Sequence, residues 1–97
     1  MSSDLAKKID QRVAHRIRER RLLLGMTQQH LAEMIGVAFQ QAHKYERGLS
    51  RVSAGRLFHI ATVLDTPITY FFSTGDEVDH DSGGERAIGG ARRGTRI

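Results

Sequence analysis

The chain contains no cysteine. That excludes disulfides, thiolate-ligated zinc and cysteine nucleophiles together, and it is compatible with a reducing compartment. No apolar stretch approaches the roughly 18 to 20 residues that a transmembrane helix requires. The opening MSSDLAKKIDQR lacks the apolar run of a secretory signal, so a cytoplasmic protein is expected, with no membrane partner. Alternating β-branched runs are missing as well, which argues against a sheet. The histidines are scattered, with no carboxylate at ligand spacing, so no metal site is expected. Neither a nucleophile–base arrangement nor a phosphate-cradling loop is present. No catalytic residue and no cofactor are expected, and an enzyme is set aside.

What is there is charge with a pattern. Residues 1–72 carry eleven Lys/Arg against six Asp/Glu, and seven of those basic residues lie between Lys7 and Arg21. Five acidic residues follow from Asp76 to Glu85, then four arginines from Arg86 to Arg96. A positive domain attracts polyanions, although arginines also serve simply to solvate helix surfaces. At 97 residues the chain fits one domain, too small for a large active-site cavity.

Helical spacing recurs along the first three quarters of the chain. From about Asp10 to Leu24, Val13, Ile17 and Leu24 form a stripe, and Gly25 ends the segment. Thr27 reads as the N-cap of a short helix through Ile35, with Leu31, Ala32 and Ile35 inward. Gly36 breaks it, and a third helix is expected from about Phe39 to Glu46, stopped by Gly48. Ser53 caps a fourth, in which Leu57, Ile60, Ala61 and Leu64 recur at helical spacing and His59 is expected to be packed or hydrogen-bonded beside them. Thr66-Pro67 reads as an N-cap and first-turn proline before Ile68, Phe71 and Phe72. The expectation is all-α: a compact domain of five short helices over residues 10–74, after an N-terminal arm at 1–9. Residues 75–97, charged and glycine-rich, cannot bury enough apolar area to offset the entropy of ordering and are expected to be a flexible tail.

The helix–turn–helix spacing at residues 27–47 carries the functional signal. Ala32 is small where two helices cross, and Gly36 tolerates the positive φ that the turn needs. In the third helix Ala42 and Tyr45 face the core. Phe39, Gln40, His43, Lys44 and Arg47 make a wide polar face proportioned to a major groove.

These residues also carry a resemblance. GMTQQHLAEMIGV, FQQAHKYERG and SAGRLFHIATVLDTPITYFF are together similar to the Xre/lambda-repressor-like helix-turn-helix regulators, in particular a bacterial subgroup with an FQQ-x-x-KYE-x-G recognition region. The resemblance covers about residues 10–72. It implies a scanning helix at Thr27–Ile35, a recognition helix at about Ala38–Arg47, and operator binding as a homodimer. Carried over by position, Gln40 and Lys44 are implied base readers, and Phe39 stands where relatives also read bases. Glutamine can pair with adenine N6/N7, lysine can donate to guanine O6/N7, and an aromatic can pack on a thymine methyl. Gln41 and His43 are left open between base contact and plain exposure. Gln28 matches a phosphate contact at a helix N-terminus, and Arg47 and Arg51 read as phosphate clamps. Arg21 and Glu46 match a structural ion pair that ties helix 1 to helix 3.

Two departures stand out. Ala38 replaces the usual Ser or Thr cap of the recognition helix, and Ala42 replaces a larger core residue. Consecutive aromatics near the fifth helix cannot all point inward, so Ile68, Tyr70 and Phe72 are expected at a dimer contact. The expected function is a sequence-specific, double-stranded-DNA-binding transcription regulator, most simply a repressor, associated with the nucleoid. The rival is a protein-interaction module, such as an antitoxin or adaptor, whose fifth helix or tail holds a protein partner.

Overall fold

The computed structural model describes residues 2–73. The flexible tail expected at 75–97 lies outside these residues. Four α-helices run in order: α1 (Ser2–Leu23), α2 (Gln28–Ile35), α3 (Phe39–Arg47) and α4 (Ala54–Val63), followed by a 3-10 turn at Ile68–Phe71. The described residues contain no strand. Val13, Ile17, Leu31, Ile35, Leu57, Ile60, Leu64 and Phe71 form the centre of one core, to which every helix except α3 contributes a large side chain. The third helix offers Ala42, which has no exposed surface at all.

Four expectations need correction. The segment read as an arm at 1–9 is helical from Ser2 and continuous with α1. Asp4 in its first turn complements the helix dipole, and no glycine or proline interrupts it. Residues Asp4–Lys8 are exposed, so no buried stripe marks them as helix in the sequence. The fifth helix is instead a four-residue 3-10 turn. The Tyr70 N–H donates to Pro67 O at 3.0 Å and the Phe72 N–H to Thr69 O at 3.1 Å, bonds that span three residues rather than four. Pro67, not Thr66, holds the capping position. His59, expected to be packed, is exposed.

The connections follow local chemistry closely. Thr27 Oγ1 accepts from the His30 N–H at 3.0 Å, and Ser53 Oγ from the Arg56 N–H at 3.1 Å. Gly36 ends α2 at φ 74°, and Gly48 ends α3 at φ 70°. At Gly48 an added Cβ would also lie 3.0 Å from the Gln11 amide nitrogen, whereas Gly36 opens on empty space.

The cap of α3 is the weak point. Ala38 has the extended backbone of an N-cap (φ −68°, ψ 153°) but no side chain to accept a hydrogen bond. Ala38→Ser should therefore stabilise the domain by about 1 kcal/mol. A raised urea midpoint at unchanged slope is the expected readout.

The arginines of α1 are largely committed to the fold. Arg12 donates to Phe72 O at 3.0 Å, Arg16 to Ser73 O at 3.1 Å, and Arg20 to Leu64 O and Asp65 O, each at 2.9 Å. Spaced four residues apart, they line one face of α1 and satisfy carbonyls around the end of α4 and the 3-10 turn. Much of the positive charge near the N-terminus is thus a set of ties to that end of the chain.

Candidate nucleic-acid interface

At about 100° per residue, α3 divides into two faces. Phe39, His43, Arg47, Gln40 and Lys44 fall within an arc of about 140°, and all five are exposed. Gln41, Tyr45, Ala42 and Glu46 occupy the opposite side and are buried or half-buried. Helix α3 is held in this orientation by packing on α1 and α2.

The side chains of Gln40, Lys44 and Arg47 make no hydrogen bond to another described residue. Phe39 is 43% exposed, and its ring stacks near His43 with centroids 6.5 Å apart and planes 26° from parallel. Gln41 is different. Its amide donates to Ser50 Oγ at 2.9 Å, which turns it towards the loop after α3 and away from the exposed arc. Arg51 is 80% exposed and pairs with Asp10 at 3.2 Å. A surface pair of this kind contributes little and exchanges readily for another anion.

Gln28 occupies the first turn of α2, but its side chain is engaged inward. Its Nε2 donates to Glu46 Oε1 at 3.0 Å, and its Oε1 lies 3.4 Å from His43 Nδ1. Glu46 also accepts from Arg21 Nε at 2.7 Å and Nη2 at 2.9 Å. The Arg21–Glu46 pair is thus bidentate, with side chains only 9% and 1% exposed. Arg21 Nη1 adds a bond to Met26 O at 2.8 Å. One buried junction therefore ties α1, the loop before α2, α2 and α3 behind the exposed arc. The part played by Gln28 was not legible in the sequence, because an eighteen-residue separation leaves no periodic signal.

The three residues expected at a dimer contact are not alike. Ile68 and Tyr70 are half-buried and pack against the core. Tyr70 lies under the Arg16 guanidinium, 4.6 Å from ring centroid to Cζ, and its hydroxyl bonds Glu19. Phe72 is 40% exposed and, with Ile9, Leu49 and Val52, lines an open groove of about 830 Å³. No described helix is long and apolar enough to cross a membrane.

Comparison with known proteins finds the same helix-turn-helix motif. The Helix-turn-helix family model matches residues 17–71, more than half of the chain. A transcriptional regulator from the ATPase CF(0) region of Rhodospirillum rubrum is 54% identical over 65 residues, covering 67% of this chain and 60% of its own. An HTH-type transcriptional regulator of Sinorhizobium medicae is 46% identical over 76 residues, covering 78% of this chain and 52% of its own. The chain thus spans little more than half the length of these relatives. Among solved structures, the restriction-modification controller protein C.AhdI of Aeromonas hydrophila superposes with a TM-score of 0.61 at 31% identity, over 64% of this chain and 94% of that one. The family match over residues 17–71 and the similarity to these regulators place the chain in the Xre/lambda-repressor-like family of helix-turn-helix regulators.

Proposed function

We propose that the protein is a sequence-specific transcription regulator of the cytoplasm that binds double-stranded DNA as a homodimer and represses by occluding its operator. The observation that carries this reading is the exposed arc of α3, on which Gln40, Lys44 and Arg47 are uncommitted within the described residues. A nine-residue helix is about 13 Å long, a length suited to a major groove about 12 Å wide. Gln40 and Lys44 then read base edges, with Phe39 against a thymine methyl. Arg47 and Arg51 hold phosphates. The exposed backbone N–H groups at the start of α2 supply a further phosphate contact beside Gln28. The DNA-binding unit is the domain assigned to residues 10–74, and the work is binding, not turnover. The name of C.AhdI, a restriction-modification controller, and those of the regulators above point the same way.

Dimerisation places two copies of α3 about 34 Å apart, one helical turn of DNA. Phe72 is the best-exposed of the proposed contact residues, with Ile68 and Tyr70 supporting it from beneath. The same patch would serve a protein partner, and that reading predicts weak DNA binding without base discrimination.

Selection of bound sites from a random DNA library near physiological salt tests the proposal. A two-fold motif with half-sites one helical turn apart is the expected outcome, and no enrichment from folded protein would refute it. On the selected site Gln40→Ala should cost about 1 to 3 kcal/mol and relax one base position. Arg47→Ala should instead weaken all sequences alike and lower the salt slope by about one unit. Titrations of cognate and random duplexes at several salt concentrations separate the two.

A further inference from the structure

We propose that Gln28 is a positioning residue for His43: it holds the neutral imidazole in the Nδ1–H form, so that α3 presents the bare Nε2 as an acceptor for an amino-bearing base. The inference rests on the DNA-binding reading above and adds a specificity-determining residue to it. The Glu46 carboxylate has only acceptor atoms, and both are engaged by Arg21 at 2.7 and 2.9 Å. The Gln28 group that lies 3.0 Å from Glu46 Oε1 must therefore be the NH₂, since a carbonyl there would face another acceptor. That choice decides the other end of the amide.

The Gln28 carbonyl consequently points towards His43, with Oε1 3.4 Å from Nδ1. A carbonyl only accepts, so this contact is a hydrogen bond only when Nδ1 carries the hydrogen. In a neutral ring Nε2 then carries none. The Phe39 ring lies beside the imidazole, with centroids 6.5 Å apart. His43 itself is exposed, on the same arc as Gln40 and Lys44.

The chemical consequence is specific. Gln40 can both donate and accept, while Lys44 only donates. An Nδ1–H His43 adds a pure acceptor to that surface. In the major groove its complement is an exocyclic amine, adenine N6 or cytosine N4. Guanine and thymine present acceptors at the corresponding edge and are disfavoured. The identity of a base on the DNA is thus set in part by a buried glutamate that never touches it.

Two measurements on the full chain test this. The first is the long-range ¹H–¹⁵N spectrum of the histidine rings at about pH 8.5, above the ordinary histidine range, with His43 assigned by its absence in His43→Gln. The Nδ1–H pattern is expected in the wild type, with a shift towards Nε2–H in Gln28→Ala. An Nε2–H ring in the wild type, or a pattern indifferent to Gln28→Ala, overturns the inference, and the wild-type spectrum is informative even should the variant fold poorly. The second is the library selection described above, repeated with Gln28→Ala and His43→Ala. Both variants should lose about tenfold of preference for adenine or cytosine at one shared position, in line with a single good base contact. A clear wild-type operator whose preferences neither variant changes refutes the readout role alone. No selected sequence at all refutes the DNA-binding function, and the base-reading role with it, whatever the tautomer.

Discussion

Replacing Glu46 by alanine should lower the unfolding free energy by about 3 to 5 kcal/mol. The carboxylate is 1% exposed and accepts three hydrogen bonds, two from Arg21 and one from Gln28. Removing it leaves the Arg21 guanidinium in place, 9% exposed and held to Met26 O by its other nitrogen. Two of its donor nitrogens are then buried without a partner, and the half-buried Gln28 amide loses its acceptor. That uncompensated charge, more than the lost attraction, sets the size of the effect. A domain of about 70 residues has a total stability of roughly 4 to 11 kcal/mol, so much of the Glu46→Ala protein should be unfolded at moderate temperature. The double variant Arg21→Met with Glu46→Leu removes both charges and should recover most of the loss. Urea denaturation of the single and double variants measures this, and a double variant no better than the single would show that the pair is stabilising in its own right.

Phe71→Ala should cost a comparable 3 to 5 kcal/mol, by a different route. Phe71 has no exposed surface, and it is the one fully buried side chain of the 3-10 turn, which packs on α1 and α4. Its ring meets Tyr70 edge-on, with centroids 5.3 Å apart. Truncation removes the transfer energy of the ring and leaves a cavity that the turn, short as it is, cannot collapse to fill. The arginine ties do not compensate, because Arg12 and Arg16 reach Phe72 O and Ser73 O only while the turn is docked. The neighbouring Phe72, 40% exposed, gives the contrast. Phe72→Ala should change the urea midpoint little while weakening self-association. Denaturation and sedimentation on the two variants separate core from interface, and a large stability loss in Phe72→Ala would remove that residue from the proposed contact.

Much of the fold was legible because its signals are local. Thr27, Ser53, Gly36 and Gly48 end or begin helices through hydrogen bonds and dihedral angles that involve three or four neighbouring residues. The stripe of Leu57, Ile60, Ala61 and Leu64 is a one-helix pattern and needs nothing else to be read. Where the local signal fails, the reading fails with it. Asp4–Lys8 are exposed, so periodicity could not report their helix. Ile68–Phe71 has apolar side chains enough for a helix but too few residues to close α-helical bonds, and the 3-10 turn results.

The exposed arc of α3 was legible for the same reason, since a 3.6-residue period assigns faces without a partner. Gln41 shows the boundary of that reasoning. Its neighbour Gln40 is chemically identical, yet about 100° of rotation sends Gln41 to Ser50 and leaves Gln40 facing solvent. The arginines of α1 show another boundary. Composition presents Arg12, Arg16 and Arg20 as surface charge, and only their approach to the end of α4 and the 3-10 turn makes them ties.

The sequence by itself determined α2, α3 and α4, the Thr27 and Ser53 caps, the turn between α2 and α3, and which side of α3 is polar, because each depends on contacts within a few residues. Tertiary structure alone decided which charges remain free, which glutamine faces outward, and that Gln28 joins Glu46 to His43. Those outcomes depend on which side chains meet across separations of nine to sixty residues, and a hydrogen bond between distant segments leaves no periodic trace in the chain that makes it.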